Sequence, residues 1–83
     1  MDKILVSIFV LCLNEEYDTY LPINESMDTV INSVQETLVE LSNGSYRVNS
    51  NAIMYDGITG RVINKKNIVK FSGLKNGSRV LLI

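Results

Sequence analysis

Residues 26–44 read SMDTVINSVQETLVELSNG, and the spacing of their apolar positions decides the fold. Val30, Ile31, Val34, Leu38 and Leu41 recur at i, i+3/i+4, which is one face of an amphipathic helix. Ser26, Asp28 and Thr29 are N-cap residue types placed just before that face. The acids Glu25 and Asp28 suit the positive N-terminal end of a helix. Asn43-Gly44 supplies a left-handed stop. The spacing predicts a helix over residues 28–42.

Working outward, the period falls from 3.6 to two. Residues 3–13 are rich in Ile, Val, Leu and Phe and read as a first strand. Alternation places Ile4, Val6, Ile8 and Val10 towards a core, and Lys3, Leu5, Ser7, Phe9 and Leu11 on the other side. Asn14-Glu15-Glu16 reads as a polar turn, and Tyr17 to Ile23 as a second strand. Pro22 has no N–H for a ladder, so it belongs near a strand end or edge. On the other side of the helix, Ser45 to Asn51 is a polar loop and Ala52 to Tyr55 a third strand. Asp56-Gly57 and Thr59-Gly60 punctuate a turn before a short fourth strand at Arg61 to Ile63. Residues 68–74 form a connector burying Ile68 or Val69, Phe71 and Leu74. Asn76-Gly77 then turns the chain into a last strand, Arg79 to Ile83.

At 83 residues the chain is expected to form one domain, burying only about 60% of its unfolded surface. Apolar residues make up 46%, which argues against disorder. Eight basic and nine acidic residues give a net charge of -1. This reads as a mixed surface, without the basic footprint of a nucleic-acid binder or a membrane-surface segment. The sequence has no histidine and one cysteine, Cys12. An internal disulfide and imidazole acid/base chemistry are thereby excluded, and a structural zinc site nearly so.

MDKILVSIFVLCL has the apolar length of a signal-peptide core. Asp2 precedes its lysine, however, and Asn14-Glu15-Glu16 follows where small residues should stand, so a core strand and a cytoplasmic location are expected. The run is too short to span a bilayer. The three N-x-S sites (Asn24, Asn43, Asn76) carry no weight in that location. No residue pattern points to a cofactor, a metal or a catalytic site. Asp56 to Arg61 lacks the phosphate-cradle pattern. Cys12 reads as a packed strand-end thiol. Glu15/Glu16 and Glu36/Glu40 read as solvated carboxylates, and Lys65-Lys66 as a loop.

Strand, strand, helix, strand, strand, connector and strand make an α+β, β-grasp arrangement. One helix covers one face of a mixed sheet of four or five strands. MDTVINSVQETLVEL, AIMYDGITGRVI and SGLKNGSRVLLI resemble the corresponding stretches of the ubiquitin-like superfamily over essentially the whole chain. Within it the chain is most similar to the small YukD/EsaB-type proteins of type VII secretion in Gram-positive bacteria. The resemblance implies a protein-binding accessory component, not an enzyme, docking on cytosolic parts of the membrane machinery. Conjugated modifiers and sulfur carriers of this superfamily run past the last strand to Gly-Gly. Here Leu82-Ile83 lies within the strand, so neither conjugation nor a thiocarboxylate is expected. The alternative reading is a non-catalytic effector subunit of a multicomponent enzyme.

Alternation nominates a binding site. With Ile53 and Tyr55 inward, Met54 points out; with Val80 and Leu82 inward, Leu81 and Ile83 point out. The first and last strands are neighbours in a β-grasp sheet. Leu5, Phe9, Met54, Leu81 and Ile83 are therefore expected as an apolar patch on the uncovered sheet face, of the kind that marks an interface. A homodimer through that face is a further expectation.

Overall fold

The computed structural model describes residues 2–83. In chain order its elements are β1 (Lys3–Val10), β2 (Glu15–Pro22), α1 (Met27–Leu41), β3 (Met54–Asp56) and β4 (Ser78–Leu82). Short 3-10 turns stand at Leu11–Leu13 and Val69–Phe71. The sheet order is β2-β1-β4-β3. β1 pairs antiparallel with β2 and parallel with β4, and β3 pairs antiparallel with β4. The parallel centre follows from the route. The chain leaves β2 at one edge, crosses one face as α1 to β3 at the other edge, and returns to the middle as β4. This is the expected α+β, β-grasp architecture with four strands.

Local chemistry sets the helix ends. Ser26 holds extended backbone angles, and its Oγ accepts from Thr29 N–H at 3.2 Å, a side-chain cap for one of the unpaired first-turn donors. At the other end Asn43 and Gly44 take positive φ angles of 54° and 84°. Gly44 N–H donates back to Val39 C=O at 2.9 Å, so the left-handed stop works as expected.

The core lies between α1 and the sheet. Val6, Ile8 and Val10 of β1, Leu21 of β2, Met54 of β3, and Val80 and Leu82 of β4 are buried against Met27, Val30, Ile31 and Leu38. Gln35 is also fully buried in the middle of the helix face. Its Oε1 accepts from Tyr46 OH at 2.8 Å and Asn49 N–H at 2.7 Å, and its Nε2 donates to Asn49 C=O at 3.2 Å. One amide thus pins the otherwise irregular 45–51 loop to the helix. Tyr46, expected in a polar loop, is buried by this clamp.

Several expectations need correction. β1 ends at Val10, because Leu11–Leu13 turn as a 3-10 helix closed by left-handed Asn14. Glu15 and Glu16 consequently belong to β2 rather than to the turn. Cys12 is exposed in that turn, not packed. Leu41, the last helical residue, is exposed. Arg61 to Ile63 contributes a single bridge, Tyr55 with Val62, in place of a strand. In the connector, Val69 and Leu74 are buried but Phe71 is 67% exposed. The Val69 and Lys70 N–H groups donate to Glu25 and Ile23 carbonyls at 3.0 Å. They fix Val69 inward and leave Phe71, two residues on, facing away.

Candidate protein-binding face

α1 covers one sheet face, and strand alternation decides which side chains stand on the other. Opposite the buried positions lie Lys3, Leu5, Ser7 and Phe9 of β1; Glu16, Asp18 and Tyr20 of β2; Tyr55 of β3; and Arg79 and Leu81 of β4. Register arranges them in rows. Glu16, Phe9, Leu81 and Tyr55 form one row across all four strands, and Asp18, Ser7 and Arg79 form the next. Leu5 pairs with Tyr20 beyond the second row. Ser7 Oγ donates to Asp18 Oδ1 at 2.7 Å, and Lys3 Nζ sits 4.8 Å from the Tyr20 ring centroid. On the other flank, Ile53 and Ile83 exchange two backbone hydrogen bonds of 3.0 Å. They extend the apolar row.

The structure therefore brings together Phe9, Leu81 and Ile83 from the expected patch. Leu5 is partly exposed but sits across the polar Asp18–Ser7–Arg79 row. Met54 is the correction: it is fully buried and pairs with Leu82. The parity of the third strand is the reverse of that expected, and Tyr55 takes the outward place. β3 has only three residues, so its parity is set by neighbours. The Ile53–Ile83 pair holds one end, and Gly57 N–H donating to Arg79 C=O at 2.8 Å holds the other. The missed signal was the tyrosine itself, whose apolar ring and polar tip suit a half-buried position better than methionine's thioether does.

Phe9, Glu16, Tyr55, Arg79, Leu81 and Ile83 line a shallow concavity of about 490 Å³, walled by Gly57 and Gly60. The wall is held by hydrogen bonds. Asp56 Oδ1 accepts from Ile58 N–H at 2.8 Å and Thr59 N–H at 3.0 Å. The Thr59 N–H first, then that of Ile58, holds the Asp56 carboxyl below its usual value; the Thr59 hydroxyl and Arg61 add to this. Gly57 must be glycine, since a Cβ there would lie 2.9 Å from Arg79 C=O. The result is an apolar centre flanked by the Glu16 carboxylate and the Arg79 guanidinium.

Charge is less mixed than the net value implies. Glu15, Glu16, Asp18, Glu25, Asp28, Glu36 and Glu40 are the only charged residues between Ile4 and Tyr46. After Asp56 every charged residue is basic: Arg61, Lys65, Lys66, Lys70, Lys75 and Arg79. Tyr17, beside Glu15, has its phenol pushed above its ordinary value by desolvation and by that carboxylate, which accepts its O–H at 3.1 Å. Among the described residues, no helix is long and apolar enough to cross a membrane.

No protein-family model matches this chain, and no curated protein does. Solved structures do match in fold. A chain of the toluene 4-monooxygenase HD complex with the inhibitor 4-bromobenzoate is 14% identical, with a TM-score of 0.78 over 96% of this chain and 95% of that one. The ubiquitin-like domain of the Mycobacterium tuberculosis type VII secretion system protein ECCD1 is 17% identical, with a TM-score of 0.73 over 100% and 99%. A chain of the MycP5-free ESX-5 inner membrane complex is 12% identical, with a TM-score of 0.69 over 100% of this chain but 21% of that one. At these identities the likeness is one of fold, and the fold is the ubiquitin-like β-grasp.

Proposed function

We propose that this chain is a protein-binding module that works by contact rather than catalysis, using the uncovered sheet face. The observation that carries the proposal is the row Phe9–Leu81–Tyr55, continued by Ile83 and laid across adjacent strands opposite the helix. Burying such a row against a partner is favourable at about 25 cal/mol per Å² of apolar surface. The biological setting we propose is bacterial type VII secretion. There the chain serves as a cytoplasmic YukD/EsaB-type accessory component of a Gram-positive cell, docking on cytosolic parts of the membrane machinery. The full-length fold match to the ECCD1 ubiquitin-like domain and the match within the ESX-5 inner membrane complex support this setting.

A second reading, a non-catalytic subunit of a multicomponent enzyme, is favoured by the near full-length match to a chain of the monooxygenase complex. One experiment separates the two. A tagged pull-down from native cytosol and membrane fractions compares the wild type with Tyr55→Asp/Leu81→Asp. Recovery of secretion-machinery proteins by the wild type alone supports the first reading and the face. Oxygenase subunits in their place establish the second. Equal recovery of one partner by both baits removes the face as the site.

A further inference from the structure

We infer that the notch between β3 and the 62–66 segment takes up an acidic segment of a partner protein, built around one aliphatic side chain. Residues 61–63 run along the outer side of β3. Asp56 N–H donates to Arg61 C=O at 2.8 Å, and Ile63 N–H to Met54 C=O at 2.9 Å. Tyr55 and Val62 stand opposite each other between those bonds. Val62 therefore shares the outer face with Tyr55 and turns its own N–H and C=O away from the sheet. Beyond Ile63 the two chains part. Ile53 exchanges its hydrogen bonds with Ile83, on the other side of its strand, while the departing chain reaches the helix, where Lys65 C=O accepts Asp28 N–H at 2.9 Å. A concavity of about 560 Å³ opens where they diverge. Ile53, Val62 and Ile63 supply its apolar wall, and Asn64, Lys65 and Lys66 its polar rim. Val62 is 60% exposed, so the wall is open to a partner.

Charge selects the occupant. Lys65 is half-buried, and its Nζ donates to Ser50 C=O at 3.4 Å. That contact holds the ammonium at the rim, and a carbonyl leaves its charge uncompensated. Lys66 is exposed, with its N–H tied to Asn64 Oδ1 at 2.9 Å. Arg61 adds a third positive charge on the same stretch of chain. The acids that come near are committed elsewhere. The Asp56 carboxylate accepts from the N–H groups of its own turn. Asp28 stands in the first turn of α1, whose positive end it suits. A basic segment would meet like charges here. A wholly apolar one would take the ammonium groups out of water without a partner, which is costly. An aliphatic residue flanked by Asp or Glu meets both requirements. Its side chain fills the notch beside Ile53 and Val62, its carboxylates face Lys65 and Lys66, and its backbone finds the outward N–H and C=O of Val62.

This site borders the Phe9–Leu81–Tyr55 face at Ile53 but does not depend on it, and the test keeps the two apart. The ¹⁵N-labelled chain is titrated with three capped pentapeptides: Glu-Glu-Leu-Glu-Glu, Lys-Lys-Leu-Lys-Lys and Glu-Glu-Gly-Glu-Glu. We expect the first alone to shift the amides of Ile53, Val62, Ile63 and Lys66. Its affinity should fall as salt is raised, because exposed ion pairs are screened. Lys65→Gln/Lys66→Gln should weaken it by roughly fivefold, the size of two exposed ion pairs, with an unchanged melting curve. Val62→Ser should remove the preference for leucine over glycine. Leu81→Asp should bind the peptide as the wild type does. Equal binding of the lysine or the glycine peptide, shifts confined to Phe9, Tyr55 and Leu81, the same shifts on raising protein concentration without peptide, or no shifts at millimolar peptide would each overturn the inference.

Discussion

Two rows of side chains cross the same three strands one residue apart. Val10, Leu82 and Met54 form the inner row; Phe9, Leu81 and Tyr55 form the outer one. Their compositions are equally apolar, yet the inner row is fully buried and the outer only half-buried. Hydrophobicity alone does not separate them. What separates them is the single helix, which covers one face and leaves the other without a layer. An apolar row kept at the surface is thus the unexplained cost in this fold, and contact with a partner is what would offset it.

Acid substitutions should break the two rows differently. Met54→Asp places an unpaired carboxylate in the core at a cost of several kcal/mol. The whole stability expected for a domain this size is only about 4–12 kcal/mol. Unfolding is the expected outcome, read as loss of the cooperative thermal transition; a folded Met54→Asp would mean that β3 can flip its parity. The milder Met54→Ala should cost about 2–5 kcal/mol in urea unfolding.

The covered side can be probed next at Gln35, the one buried polar side chain among the described residues. Gln35→Ala leaves Asn49 N–H and Tyr46 OH without their partner, an expected loss of about 2–4 kcal/mol. Faster hydrogen exchange at Asn49 would locate the loss in the 45–51 loop. Unchanged exchange there would show that the clamp does not hold the loop.

How much of this was legible depends on length and on markers. β1 was readable because eight residues alternate and Lys3 and Ser7 flag the outer side. The helix was readable because its period and both ends agreed. β3 was not: three residues carry no statistical alternation, and Met54 and Tyr55 are both large side chains able to pack on either face. Gln35 was missed because a polar residue breaks the apolar pattern it belongs to; only Tyr46 and Asn49, distant in sequence, reveal its place. The turn at Leu11–Leu13 was hidden by its apolar composition. The segregation of acids and bases was open to inspection all along, but a net charge near zero concealed it.

On the outer row, Leu81→Asp should cost only about 1 kcal/mol in urea unfolding, since the half-buried Leu81 loses part of its apolar contact but leaves no cavity in the core. A loss as large as that of Met54→Ala would show that the row is structural and that the face is not available to a partner.

The smallest effect concerns the wall of the outer concavity. The Thr59 and Ile58 N–H groups hold the folded Asp56 carboxyl below its usual value. As pH falls, the unfolded chain therefore binds the proton first. The stabilisation from this charge is complete above the unfolded value, near 4, and disappears as pH drops through the folded value. Asp56→Asn keeps an acceptor without the charge, so its deficit relative to wild type should be constant from about pH 7 to 5 and shrink below about 4. Amide shifts of Ile58 and Thr59 should report the depressed titration directly. Because Asp56 closes the wall beside Tyr55 and Leu81, amides of the outer row should shift more with that titration than those of Val10, Leu82 and Met54. Shifts of equal size in both rows would mean that the wall is coupled to the core, and that the two faces of this sheet are less independent than their burial implies.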